Sequence, residues 1–431
     1  MSEIKTAKED SDASNIPSVD TLKNNLSGDL DQLRIGVLGN VDSGKTTLVS
    51  VVTNNILDNG RGLARKKVLK HNHEQESGRT SSITHTYYRA ENQRIISFID
   101  LAGHEKYYKT TVFGANCCSL DYILILVGAN MGVSLMTREH LLLAFILKLP
   151  FIVVITKIDL APKNVLQNTI SDVEKLIKKY KPEHSLKFIN SSDDFKLTPR
   201  GHINESKYVP YFKISNTKGE NIELFKNYLK TVDNYKEWNS LSNSSTHLII
   251  EDTYMVNGVG LVVSGTLNAG NILKGEKYMI GPIEGAFYEI MVRTIHDNYR
   301  NLVDKLEAGC SGCLCIKSVD KKMVVKKNIL KRGMLVISKD HKKFVSDKFE
   351  AKIKILHHPT SIKKNYEPMI HCGSIRQTAK IIQIDKDLLR TGDQSLVIFQ
   401  FKSRPEFIQL NKEIMFREGK TKGIGVVTRI L

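Results

Sequence analysis

Long apolar runs are missing from this sequence of 431 residues. The longest, Leu141 to Ile155, is broken by Lys148 and Pro150, so no bilayer-spanning helix is expected. Cysteines number six and show no even framework of spaced pairs, which excludes a disulfide-stapled secreted domain. The opening Met-Ser-Glu-Ile-Lys-Thr lacks the basic-then-apolar layout of a secretion signal, and cytoplasmic residence is the expectation. Aromatic content of 7% offers no sign of base-stacking platforms. Acidic residues are in deficit, 46 against 63 lysines and arginines, leaving a net charge of +17. Such an excess points to a polyanionic partner, because basic side chains that neutralise phosphates release counterions. The basic clusters sit at Arg61 to Lys70, Lys321 to Arg332 and Lys339 to Lys343; solubility alone is the plain alternative.

Residues up to about Leu33 are rich in Ser, Asp, Asn and Lys, and a disordered tail over 1–33 is expected. From Arg34 onward apolar runs alternate with amphipathic helical stretches. The runs are Ile35–Leu38, Ile95–Ile99, Tyr122–Val127, Phe151–Ile155 and Tyr211–Ile214. Strands separated by helices call for a mostly parallel sheet with helices on both faces, over 34–238. The polar stretch Asn239 to Thr246 reads as a linker. Beyond it short strands are punctuated by Gly258, Gly260, Gly265, Gly270, Gly275 and Gly281, the pattern of a small β-barrel over 247–340. A second strand-rich block over 347–431 implies another barrel. Cys310-Ser-Gly-Cys313-Leu-Cys315 invites a metal reading, but no fourth ligand is near and the alternation suits a half-buried strand.

The chemistry lies in the first block. Gly39, Asn40, Val41, Asp42, Ser43, Gly44, Lys45, Thr46 and Thr47 follow one apolar run and open a helical stretch. Successive backbone N–H groups and a helix N-terminus there form an anion nest; Lys45 supplies a point charge, and the Thr46 hydroxyl can ligate Mg²⁺. This predicts a bound nucleoside triphosphate. Asp100 ends the next run and can reach Mg²⁺ through water, while Gly103 lets a backbone N–H approach the terminal phosphate. Thr156-Lys157-Ile158-Asp159 ends another strand; its Asp can accept both the ring N–H and the exocyclic amine of guanine, with Lys157 along the base face. Ser215-Asn216-Thr217-Lys218 could donate backbone N–H groups to the guanine carbonyl.

These elements, in this order, resemble the GTP-binding domain of translational GTPases of the elongation factor Tu and 1-alpha type. A subfamily called GTP-binding proteins 1 and 2 is similar from about Arg34 to Leu431. The likeness includes Leu57-Asp-Asn-Gly-Arg-Gly62, His73 to Ser82, Phe98 to Tyr107, Lys109 to Gly114, His357 to Thr360, His371 to Ala379 and Phe416 to Lys422. The resemblance implies an α/β P-loop GTPase domain followed by two all-β barrels. It also implies GTP and GDP as ligands, Mg²⁺ held by Thr46, Thr80 and Asp100, and His104 orienting the attacking water. A solvated loop histidine is the bland alternative for His104, and His85 reads as structural. Departures from the family pattern are Asn40 and Ser43 for histidines, Ala102 for proline, Arg79 for an isoleucine and Thr156 for the usual Asn; Val41 keeps half of an apolar gate.

By the same resemblance Glu251, Asp252 and Tyr254 are candidates for contact with the terminal adenosine of aminoacyl-tRNA, beside the plain reading of a strand with an exposed acid pair. Leu261 stands where the factor has a threonine. The implied function is GTP hydrolysis by a translational factor acting on tRNA or the ribosome. The alternatives are a GTP-dependent RNA-binding adaptor in mRNA turnover and a nucleotide-binding scaffold without turnover. No membrane or DNA partner is expected, and the chain is expected to be monomeric.

Overall fold

The computed structural model describes residues 32–68, 83–197, 207–298, 300–319, 324–341 and 345–431. The first part is built on seven strands: β1 (Gln32–Gly39), β2 (Thr84–Arg89), β3 (Ile95–Asp100), β4 (Tyr122–Gly128), β5 (Phe151–Thr156), β6 (Ser185–Phe188) and β7 (Tyr208–Ile214). Their order is β2-β3-β1-β4-β5-β7-β6, parallel throughout except for β2, which runs antiparallel to β3. β1, β3, β4 and β5 are buried along their full length, as strands covered on both faces must be. One face packs on α1 (Lys45–Asn54) and the helix Ile222–Thr231; the other packs on α2 (Tyr108–Cys117), α3 (Leu135–Ile146) and α4 (Lys163–Tyr180). α3 begins at Ser134, whose hydroxyl accepts from Thr137 N–H at 3.1 Å while its own N–H donates to Thr137 Oγ1.

Two edge strands escaped the apolar-run reading. β2 has the sequence THTYYR and β6 has SLKF; neither is sheathed on both sides, so neither needs a continuous apolar run. The expected tail also begins to order earlier. Gln32 and Leu33 belong to β1, where Leu33 is fully buried and the Gln32 amide donates to Ser97 Oγ at 2.7 Å. The remainder of the tail, 1–31, lies outside the described residues.

Six strands then close a barrel: β8 (His247–Val256), β9 (Gly260–Ala269), β10 (Lys277–Ile283), β11 (Ala286–His296), β12 (Ser311–Ser318) and β13 (Leu335–Ile337). Their cyclic order is β10-β13-β8-β9-β12-β11. A second closed barrel takes β14 (Lys348–His357), β15 (Met369–Cys372), β16 (Ile375–Ile384), β17 (Gln394–Phe401), β18 (Glu413–Glu418) and β19 (Thr421–Ile430), in the order β14-β17-β16-β15-β18-β19. Alternation explains it: along β14, Phe349, Ala351, Ile353 and Ile355 point inward and Lys352 and Lys354 outward. Cys313 and Cys315 lie on β12, as the strand reading expected, and none of the six cysteines is in a disulfide.

The linker is more ordered than its polarity suggested. Trp238–Ser242 forms a helical turn, and the Trp238 ring packs so closely on Gly309 that a Cβ there would collide with it. Phe113 and Cys117 of α2 meet Ile249, Leu335 and Ile337 of the first barrel and Phe407 of the second in a single apolar cluster. Arg34 of β1, fully buried, adds four hydrogen bonds: to Cys118 O, Gly309 O, Ser311 Oγ and Thr266 Oγ1, at 2.8–3.2 Å.

Candidate nucleotide-binding site

Five strand ends, those of β1, β3, β4, β5 and β7, line up on one edge of the first sheet. Val37 of β1 registers with Asp100, Gly39 with Leu126, Gly128 with Thr156, and Thr156 with Ile214. Ligands of open α/β sheets bind outside this carboxyl edge. Between β1 and α1 the chain turns through two left-handed residues, Asp42 (φ 59°) and Gly44 (φ 82°), which aim successive N–H groups into the turn. The Ser43 hydroxyl donates to Asn40 O at 2.9 Å, and Asn40 Oδ1 accepts from Val41 N–H at 2.8 Å, so the loop holds its own shape.

Lys45 lies buried beneath this loop and donates to Asn40 O at 2.8 Å. Burial lowers its pKa, opposed by the carboxylates of Asp100 and Asp42. The Thr46 hydroxyl donates to Asp100 Oδ2 at 2.5 Å, joining α1 to the end of β3. Gly103 closes the space from above: a Cβ there would lie 2.5 Å from Gly39 O and collide with Lys45 Nζ. A hydroxyl and a carboxylate oxygen side by side form a hard donor pair that suits Mg²⁺.

Next to the loop lies a cavity of about 230 Å³ lined by Asp42, Gly44, Thr47, Lys157, Asp159 and Asn216, with the segment Asp58 to Arg65 along its rim. Partial burial works to raise the Asp159 pKa, but hydrogen bonds from Ser215 and Thr217 prevail and keep the carboxylate below its ordinary value. Thr217 Oγ1 donates to it at 3.0 Å. Asn216 places its side chain beside Gly44 and Thr156, and its Oδ1 is buried with no hydrogen-bond partner among the described residues. Only its backbone was singled out from sequence. Thr156 is not brought to the cavity: fully buried, it donates to Ser43 O at 2.7 Å and braces the phosphate loop. Ser215 likewise supports from behind, accepting from Lys218 N–H at 3.1 Å.

Sequence reasoning missed Asp58, Arg61 and Arg65 as site residues. The Asp58 carboxylate accepts from Gly60, Gly62 and Ala64 N–H, and its own N–H donates to Asn216 O at 2.9 Å, which holds the Asp58–Arg65 loop against the cavity. The string Leu57 to Gly62 carries the signal, an Asp followed by two glycines whose N–H groups its carboxylate can collect.

His104 caps a short 3₁₀ turn, its Nδ1 accepting from Lys106 N–H at 3.1 Å, with the ring half-buried and edge-on to Tyr107. Thr80 and Arg79 lie outside the described residues. On the first barrel the acid pair divides. Glu251 sits at a bulge in β8 and turns toward the first domain, 3.4 Å from His85 Nε2, while its Oε1 accepts from Thr266 Oγ1 at 2.6 Å. Asp252 pairs with Arg332 at 2.6 Å, and Tyr254 is exposed. Glu251 is therefore part of the contact between domain and barrel, and an exposed acid pair is not what the fold presents.

The family model for the elongation factor Tu GTP binding domain matches residues 31–257. The chain belongs to that family of GTPases. It is 39% identical over 425 residues to GTP-binding protein 1 of Xenopus laevis, covering 93% of this chain and 64% of that protein. To GTP-binding protein 2 of Homo sapiens it is 37% identical over 423 residues, covering 92% and 69%. The chain thus spans about two thirds of the length of these relatives. In fold it is similar to translation elongation factor SelB of Methanococcus maripaludis in complex with the GTP analogue GppNHp, with a TM-score of 0.69 and 21% identity over 94% of this chain and 80% of that one. Among the described residues of this elongation factor Tu-type GTPase, no helix is long and apolar enough to cross a membrane.

Proposed function

We propose that this chain binds Mg²⁺–GTP, hydrolyses it to GDP and phosphate, and uses the cycle as a translational factor to engage RNA at the ribosome. The observation that carries the reading is the meeting of Lys45, Thr46, Asp100 and Gly103 at one strand edge, beside the cavity of Asp159. Backbone N–H groups of residues 41–46 hold the phosphates, and Lys45 exchanges its Asn40 carbonyl for a phosphate oxygen. Asp159 accepts from the guanine edge, with Lys157 along the ring and the Asn216 backbone at the guanine carbonyl. Thr46, Thr80 and Asp100 would hold Mg²⁺, which supplies charge neutralisation to the phosphates when bound. His104 orients a water for attack on the γ-phosphorus, and the bond to the bridging oxygen breaks to release phosphate. Loss of that phosphate frees Gly103 and its neighbours, and the barrels shift through contacts such as His85–Glu251.

Turnover measured with and without ribosomes tests this. Ribosomes are expected to accelerate hydrolysis, and His104→Ala to lower the stimulated rate by about a hundredfold or more with GTP binding intact. Unchanged turnover in that variant removes His104 from the mechanism; absence of ribosome stimulation moves the partner elsewhere.

A further inference from the structure

A second cavity, also of about 230 Å³, shares no lining residue with the nucleotide site. It sits where the first domain, the connecting segment and both barrels meet. Asn116 comes from α2, Lys236 and Trp238 from the connection, Asn268 from β9, and Gln409 and Lys412 from the second barrel. No carboxylate lines it among the described residues. We propose that this junction binds a small phosphate-bearing organic anion between Lys236 and Lys412, and that its occupancy locks the first domain and the two barrels in the arrangement described here.

Charge carries the argument. The Lys236 N–H donates to Asp121, but its ammonium lies 5.1 Å over the Trp238 ring. Neither Lys236 Nζ nor Lys412 Nζ makes an ion pair or donates to an acceptor among the described residues. Two ammonium groups lining one partly enclosed space repel, and Lys236, unlike the exposed Lys412, is also taken out of water with only Asp121 to offset its charge. That cost already shows at Lys236: burial, opposed by Asp121 and reinforced by Arg34 and Lys412, brings it down to about 8. An anion relieves both terms at once. The neutral donors suit the same guest, since the Asn268 carbonyl oxygen already accepts from Ser119 Oγ and its NH₂ end remains to donate.

Lysines act as point charges that suit a tetrahedral phosphate, whereas a planar carboxylate is better matched by the arginine fork. Volume limits the guest. The space exceeds the roughly 150 Å³ that holds benzene but falls short of the about 300 Å³ at which drug-sized pockets begin. A phosphate ester of a few carbons fits. Because the walls belong to three separately folded parts, a guest there binds only while all three are docked, and it stabilises that docking by mass action.

The molecule carries its own reporter, since Trp238 is the single tryptophan of the chain. The full chain is saturated with Mg²⁺ and GDP, so that the nucleotide site is filled, and titrated with glycerol 3-phosphate at constant ionic strength. Succinate serves as the carboxylate comparison. The expected result is a saturable change in Trp238 emission with a rise in Tm, weakened about tenfold or more in Lys236→Gln and in Lys412→Gln. Lys412 is exposed at the rim, so its variant folds normally, and both variants should be at least as stable as the parent without the probe. A flat response up to about 10 mM overturns the proposal, as does an equal response in both variants. An equal response to succinate overturns the phosphate assignment.

Discussion

In the proposed function Asp159 chooses the base: its carboxylate, held below its ordinary value by hydrogen bonds from Ser215 and Thr217, can accept from two adjacent donors. Asp159→Asn turns one acceptor oxygen into a donor and is expected to shift preference from guanine toward xanthine nucleotides. Competition between GDP and XDP measures it, and a variant that still prefers GDP defeats the assignment. Asn216 is the second residue of consequence. Thr156 is occupied with the phosphate loop, while the Asn216 amide reaches the space beside Gly44 and leaves Oδ1 buried without a partner. Asn216→Ala should therefore weaken GDP by about three- to tenfold, the range of one neutral hydrogen bond, as read by calorimetry. Unaltered affinity would show that only its backbone contributes.

Among the elements, the last hairpin of the second barrel reaches the segment that follows Asp100. Arg417 of β18 stacks its guanidinium 4.5 Å over Tyr108, lies 3.5 Å from Glu139 of α3 and comes within 4.0 Å of Glu105, the residue after His104. Lys422 of β19 also holds Glu139, which is nearly fully buried. Arg417→Ala removes the stacking and one ion-pair partner but leaves Lys422, so a loss of about 2 kcal/mol is expected in denaturant unfolding. A larger effect should appear in function: ribosome-stimulated turnover falls while intrinsic turnover holds. Equal loss of both rates would mean that Arg417 serves stability alone. These element contacts, with Arg34 and Glu251 on the other barrel, tie both flanks of the nucleotide site to the barrels.

At the scale of the whole molecule, three buried histidines govern the acid limb of stability. Burial depresses His140 to about 3, His247 to about 4 and His371 to about 3, with nearby positive charge adding to each. A folded pKa below the unfolded value means that the unfolded chain takes up protons the folded chain refuses. The stability contribution is thus full above about 6.5 and is lost as pH falls below it, by up to about 1.4 kcal/mol per pH unit for each histidine. Asp121 works the other way. Burial raises it to about 6, so its contribution is present at low pH and lost as pH rises through that value. Three groups outweigh one, and Tm should drop between pH 7 and pH 5; a Tm that holds or rises over that interval would refute the account.

The local backbone geometry of the candidate site is legible in the sequence because its signals are local. Gly39 to Thr47, Asp100, Gly103 and Asp159 each sit in a few residues of strand and turn whose backbone geometry the neighbouring amino acids dictate. Apolar runs likewise revealed the strands buried on both faces, and spaced glycines revealed the barrels. Edge strands β2 and β6 stayed hidden, since a strand wetted on one side carries no continuous apolar stretch. Packing between distant segments decided the rest: Glu251 turned toward His85, Arg34 threaded into the first barrel, the Asn216 side chain set beside Gly44, and two lysines facing one cavity at the triple junction. Such contacts depend on which surfaces bury one another, and that is settled only when the separate cores have formed and docked.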